Sequence, residues 1–159
     1  MEAIHNYISI MIEGLEKKVA ILTKISELNA LQKEIAEAQR PQMEKFDEVV
    51  EEKGRIVDEL VALDDGFEQV YNRVREQLTG NKDAYAEQIR RMKELITQIT
   101  ELSVKVQSEE ARNREIVAAM FTRVKQSAGE TRKNSQAVTN YYKTMSRVDS
   151  TPQFLDKKK

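Results

Sequence analysis

Residue types that commonly carry out catalysis or bind metals are sparse in this chain of 159 residues. The chain has no cysteine, and its one histidine, His5, is predicted to be an ordinary exposed helical residue. Adjacent carboxylates occur at Glu51–Glu52 and Asp64–Asp65, but neighbouring residues on a helix point about 100° apart and share a proton poorly. The chain shows no glycine-rich phosphate loop, nucleophile motif or metal-ligand spacing. We therefore expect no enzyme activity, no metal and no other cofactor.

The more informative charged residues interrupt an apolar repeat. From Met43 to Leu78, apolar side chains recur at alternating intervals of three and four residues. Only Lys53 and Asp64 break this pattern. If neighbouring helices pair antiparallel across short connections, Lys53 lies beside Glu109 and Glu110. Counting residues in the same way from the connection near Pro41 places Asp64 beside Lys18.

Charges at such positions cost stability but fix the register of neighbouring helices. We predict that these five residues form register-setting pairs. The alternative is that their charged ends simply extend to water.

Three long helices must position these charges. Apolar residues at helical spacing predict a first helix from about Ile4 to Ile35, and Pro41 favours a connection with itself as the first residue of the next helix. The second helix is predicted to run unbroken through Gly66 to about Leu78, and Gly80 is suited to a left-handed cap. A third helix is predicted from about Tyr85 to Val124, with a polar patch over residues 107–115. The predicted fold is an all-α antiparallel bundle of three long helices with an extended, coiled-coil-like third helix.

Composition limits the classes of partner. A third of the residues are charged, but the net charge is −1 with both signs interspersed, so a nucleic-acid ligand is not expected. No apolar run approaches the roughly 20 residues of a membrane span, and the N-terminus lacks the basic region of a signal peptide. We expect a cytoplasmic protein that does not insert directly into a membrane.

Helix lengths predict a division of the chain into a helical bundle over residues 1–124 and a C-terminal extension over 125–159. A third helix of this length overshoots the first two, so residues beyond about 122 are expected to lack a partner in their own chain. The extension is expected to be helical or disordered when free. Its aromatic and apolar side chains are then expected to be exposed, and exposed apolar groups of this kind either fold back or bind a partner.

Several segments resemble those of a known family. The helix Ile21-Leu22-Thr23-Lys24-Ile25-Ser26-Glu27-Leu28, the later Glu48-Val49-Val50-Glu51-Glu52-Lys53, and the closing Tyr141-Tyr142 with Phe154-Leu155-Asp156-Lys157-Lys158 carry the likeness. With its long third helix, the chain resembles the FlgN family of flagellar type III export chaperones. The resemblance implies that the chain binds hook-associated proteins, which form the hook–filament junction. It also implies delivery of these proteins to a membrane protein of the export gate.

An amphipathic C-terminal segment can bind a substrate helix by completing the apolar seam. On this interpretation the substrate-binding residues are Ile116, Val117, Met120, Val124 and Val138. The residues predicted to dock on the export gate are Tyr141, Tyr142, Met145 and Phe154. The alternative is a structural coiled-coil or oligomerisation module without chaperone activity, whose third helix pairs with its own copy in a homodimer.

Overall fold

The structure is a computed structural model that describes residues 2–125 and 131–145. Its helices are α1 (Glu2–Glu37), α2 (Met43–Gly80), α3 (Ala86–Lys125) and α4 (Thr131–Met145). The described ranges contain no strand, so the prediction of an all-α fold with three long helices is confirmed. Within those ranges, no helix has the length and apolar character needed to cross a membrane.

Helix α2 shows how the heptad pattern builds the fold. Its buried residues include Phe46, Val50, Val57 and Leu60 along the predicted repeat. The helix continues through Gly66 as predicted, and a Cβ atom added there would have no neighbour within 4 Å. The repeat therefore determines the helix, and the glycine neither ends it nor serves a close contact.

The two connections differ in detail from the prediction. Helix α2 begins at Met43 after the extended residue Gln42, so Pro41 precedes the helix instead of starting it. Helix α2 includes Gly80, and the described residues contain no glycine with positive φ. The predicted left-handed cap is wrong, because Asn81 ends the helix: its backbone N–H donates to the carbonyl of Leu78 at 3.2 Å and its side-chain amide donates to the carbonyl of Gln77 at 2.7 Å.

Helix α1 packs along both α2 and α3 and is the centre of the bundle. It runs antiparallel to α2 and parallel to α3, so the three helices follow an up-down-up path. The core consists of side chains that repeat every three or four residues on the facing sides of these helices. They include Ile8, Met11, Leu15, Leu22 and Ile25 on α1, and Met92, Leu95, Ile96, Ile99 and Val106 on α3.

The C-terminal part of the described chain returns to the bundle. Helix α4 reverses direction after α3 and packs mainly against α2, with further contacts to α3. Val138 is 8% exposed and Tyr141 is 3% exposed, while Tyr142 and Met145 are half-buried. The expectation that these side chains are exposed is therefore wrong. The described side chains from Val138 to Met145 pack within their own chain, because α4 runs back along the bundle instead of continuing past it.

The division of the chain at residue 124 stays a prediction. The boundary lies one residue before the end of α3 at Lys125. Phe154, which was predicted to dock on the export gate, lies outside the described residues.

Candidate functional site

The predicted charge pairs meet in the folded chain. The Lys18 ammonium lies 2.7 Å from a carboxylate oxygen of Asp64, and the Lys53 ammonium lies 3.1 Å from a carboxylate oxygen of Glu110. Glu109 does not pair with Lys53 as expected. It accepts hydrogen bonds from Ser26 at 3.0 Å and from Asn29 at 3.4 Å. The proposed pairings are thus correct for four of the five charges, and their role in setting the register stays a prediction.

Lys53 is fully buried where all four helices meet. Its ammonium donates to the side-chain carbonyl of Gln32 on α1 at 2.8 Å and to Glu110 on α3. The same group lies 4.2 Å from the centre of the Tyr141 ring on α4, which is within the range of a cation–π interaction. Burial lowers the pKa of Lys53, while the negative charge and the hydrogen bond of Glu110 oppose this shift.

Tyr141 joins α4 to the same carboxylate. Its hydroxyl donates a hydrogen bond to Glu110 Oε1. Burial raises the pKa of Tyr141, and the negative charge of Glu110 raises it further. The phenol therefore keeps its proton at neutral pH and acts as a donor. Glu110 thus accepts from a cation of α2 and a hydroxyl of α4.

Amide side chains extend this buried polar network toward α1. The side-chain amide of Asn113 donates to the backbone carbonyl of Asn29 at 2.8 Å and to Gln32 at 3.3 Å. Asn29, Gln32 and Asn113 are each nearly fully buried. These three residues were not among the predicted site residues, although each occupies a heptad position. Asn29 follows Leu15 and Leu22, Gln32 follows Lys18 and Ile25, and Asn113 follows Ile99 and Val106 at intervals of seven.

A groove between α3 and α4 lies beside this network. It has a volume of about 740 Å³. Its apolar lining comes from Val117, Phe121, Val138, Tyr142 and Met145, and its other lining residues are Gln107, Arg114, Ala118, Thr139 and Lys143. A groove lined largely by apolar side chains can bind the apolar face of an amphipathic helix.

Some of the predicted binding residues line the groove, and others do not. Val117 and Val138 line it, together with Tyr142 and Met145 from the predicted docking set. Met120 is fully buried in the core instead. The remaining described members of the two sets do not line the groove: Ile116 and Val124 are half-buried elsewhere, and Tyr141 is directed into the polar network.

Tyr142 lines this groove with an aromatic ring and also carries a hydroxyl group. The Arg114 guanidinium lies 5.2 Å from the centre of its ring. Its hydroxyl is buried without a hydrogen-bond partner among the described residues. Burial raises the pKa of Tyr142, as does the charge of Glu110, while Arg114 lowers it.

Comparisons with protein-family models, curated proteins and solved structures find no match to this chain. The geometry of the groove and of the polar network is therefore the basis for any functional interpretation, beside the resemblance described above.

Proposed function

We propose that this chain binds an amphipathic helix of a partner protein in the groove between α3 and α4. The proposal depends mainly on one observation: the apolar side chains of two helices line a single open groove whose other lining residues are polar or small. Burying one large apolar side chain of a partner in such a site contributes about 1.5–3 kcal/mol. A helix that inserts two or three such side chains gains about 3–9 kcal/mol. This gain is comparable to the cost of association, so contacts with the polar lining residues must contribute as well.

The chemistry of the groove indicates what kind of helix it favours. Arg114 and Lys143 are its charged lining residues, and both are cations. A helix with acidic residues beside its apolar stripe complements these charges, which improves specificity and association rate more than affinity.

We further propose that the partner is a hook-associated protein and that the chain acts as a cytoplasmic export chaperone. The resemblance to the FlgN family supports this choice, and a bundle that offers a helix-binding groove is compatible with it. Because Val117, Val138, Tyr142 and Met145 line the same groove, we assign all four to substrate binding. Delivery to the membrane protein of the export gate stays part of the proposal, with no described residue assigned to it.

Two neighbouring alanines allow a matched test. Ala118 lines the groove and Ala119 does not, and both are exposed on α3. An Ala118→Arg variant fills the groove without disturbing the core, whereas Ala119→Arg adds the same side chain next to it. We expect calorimetric titration with the helical terminal segments of hook-associated proteins to show at least about tenfold weaker binding for Ala118→Arg, a loss of about 1.4 kcal/mol. The Ala119→Arg variant is expected to bind as the unmodified chain does.

The oligomerisation alternative gives a different result in the same set of proteins. Light scattering of the unmodified chain would show a stable dimer that Ala118→Arg dissociates. Terminal segments of hook-associated proteins would not bind to either form. Equal binding by both arginine variants would place the partner site elsewhere and contradict the proposed groove.

A further inference from the structure

The groove between α3 and α4 has one end at the C-terminus of α4. Gln107 of α3 and Met145, the last residue of α4, both line it. The two helices run antiparallel, and Tyr141 donates to Glu110. Counting four residues onward from this contact places Met145 level with about Val106. The wall that α4 provides therefore ends at this level of α3.

The lining of the groove continues along α3 past that level. Ala118 lines the groove, and Ala111 and Val104 precede it at intervals of seven residues. Residues at this interval lie on one face of a helix that packs with heptad geometry. The face of Ala118 thus carries a large apolar side chain at Val104, about 3 Å beyond the level of Val106 at 1.5 Å per residue.

Val104 has the highest exposed fraction among the large apolar side chains of the described ranges. It is 61% exposed, ahead of Ile10 at 50% and Leu31 at 43%. A single exposed apolar residue on a surface needs no explanation of its own, and Ile10 and Leu31 on α1 are of that kind. Val104 differs because it lies on the same face as the groove lining and directly beyond one end of the groove.

We propose that the bound partner helix extends past the end of α4 and covers Val104, so that this residue selects for the length of the partner helix. The inference depends on the proposed function, because it concerns the same groove. A helix that packs along the face of Ala118 and Val104 contacts two positions 14 residues apart, a distance of about 21 Å. Only a helix of about four turns or more covers both positions.

The charges of the lining indicate the chemistry of the partner helix between these two contacts. Arg114 lies on α3 between Val104 and Ala118, and Lys143 lies on the wall formed by α4. The lining residues of the groove include no acidic side chain. The partner class is therefore an amphipathic helix of at least about 15 residues, with apolar side chains near both ends of its stripe and acidic residues between them.

A Val104→Ser variant tests this inference beside the arginine variants described above. Valine and serine have similar helix propensities, and Val104 is mostly exposed, so the stability of the ligand-free variant in urea is expected to be unchanged. In calorimetric titration with helical terminal segments of hook-associated proteins, we expect at least about fivefold weaker binding. Ile10→Ser removes a comparably exposed apolar side chain from α1 and is expected to bind as the unmodified chain does.

Shortened terminal segments provide an independent measurement. Each segment would be shortened by two turns, first at one end and then at the other. One of the two shortened forms no longer reaches Val104, and we expect it to bind the Val104→Ser variant and the unmodified chain equally. If both shortened forms still distinguished the two proteins, the proposed span of the partner helix would be wrong.

The set of variants separates this inference from the proposed groove. Unchanged binding by Val104→Ser, together with weaker binding by Ala118→Arg, overturns the inference alone. Unchanged binding by both variants overturns the groove as well. A clear loss of stability in ligand-free Val104→Ser also contradicts the inference, because Val104 would then be covered by its own chain. Equal weakening by Val104→Ser and Ile10→Ser would show that the effect is not specific to this site.

Discussion

The ammonium group of Lys53 lies 4.2 Å from the centre of the Tyr141 ring, and both side chains contact the carboxylate of Glu110. A cation of α2 and a phenol of α4 therefore depend on one acceptor of α3. Gln32 of α1 completes the arrangement by accepting from Lys53 at 2.8 Å. Buried polar groups of this kind cost free energy to desolvate, so each is stable only while its partners are in place.

Replacing Tyr141 by Phe tests the link between α4 and Glu110. The variant keeps the ring over Lys53 and removes the hydroxyl that donates to Glu110. Loss of a hydrogen bond to a charged group is expected to lower the free energy of unfolding by about 1.5–3 kcal/mol. Urea denaturation measures this change. Tyr142→Phe is the control: its hydroxyl has no hydrogen-bond partner among the described residues, so we expect no loss of stability.

Replacing Lys53 by Met is expected to destabilise the protein strongly. Glu110 is only 7% exposed, and the substitution leaves its carboxylate without its buried counter-charge. Breaking one side of a buried pair typically costs about 3–5 kcal/mol. Adding Glu110→Gln removes the unpaired charge and preserves an acceptor for Tyr141. The double variant should regain most of the loss, and a double variant no more stable than Lys53→Met in urea would show that the pair is not coupled.

The raised pKa of Tyr141 predicts how stability changes at alkaline pH. A phenol whose pKa is higher in the folded than in the unfolded state keeps a proton that the unfolded chain releases above about pH 10. Folding is then opposed as the pH rises, by up to about 1.4 kcal/mol per pH unit for one proton. The stability that Tyr141 contributes is complete below pH 10 and is lost above it.

The measurement is urea denaturation from pH 9 to pH 11, comparing the unmodified chain with Tyr141→Phe. We expect the unmodified chain to lose stability more steeply, because the variant lacks this ionisation. Lys53 has a lowered pKa in the folded chain. Its contribution to the free energy of unfolding therefore increases with pH in the window below its ordinary pKa, which is the opposite of the trend for Tyr141. Parallel curves for the two proteins would show that Tyr141 ionises equally in the folded and unfolded states.

Ending the chain at Lys125 removes α4 and is expected to weaken the bundle. Val138 and Tyr141 are both nearly fully buried, and burying each such side chain contributes about 1.5–3 kcal/mol. Removing both is expected to cost about 3–6 kcal/mol. Thermal unfolding followed by circular dichroism measures the change. A truncated chain as stable as the full one would mean that α4 is only loosely attached.

The sequence predicted the long helices and two charge pairs well for a simple physical reason. A heptad repeat determines which face of a helix is buried, and short connections fix which residues lie level in antiparallel neighbours. Lys18 and Asp64, and likewise Lys53 and Glu110, could therefore be paired by counting. The polar network was missed because Asn29, Gln32 and Asn113 look like interruptions of apolar rows when each helix is considered alone.

The sequence did not predict that α4 packs back against the bundle, and the reason is different. Few apolar residues occur between Lys125 and Asn140, and helix length alone predicted an overshoot. A local signal was present: Val138, Tyr141, Tyr142 and Met145 are spaced at i, i+3, i+4 and i+7, which is typical of one face of a helix. Which surface that face would cover depends on the reversal after α3, and heptad counting carries no information about that reversal.

Amide hydrogen exchange tests the proposed groove most directly. The full chain would be compared with and without a bound terminal segment of a hook-associated protein. We expect slower exchange in the part of α3 from Arg114 to Phe121 and in α4 from Val138 to Met145, with little change in the N-terminal half of α1. Slower exchange confined to α1 or to the second half of α2, or no change at saturating ligand, would contradict binding between α3 and α4.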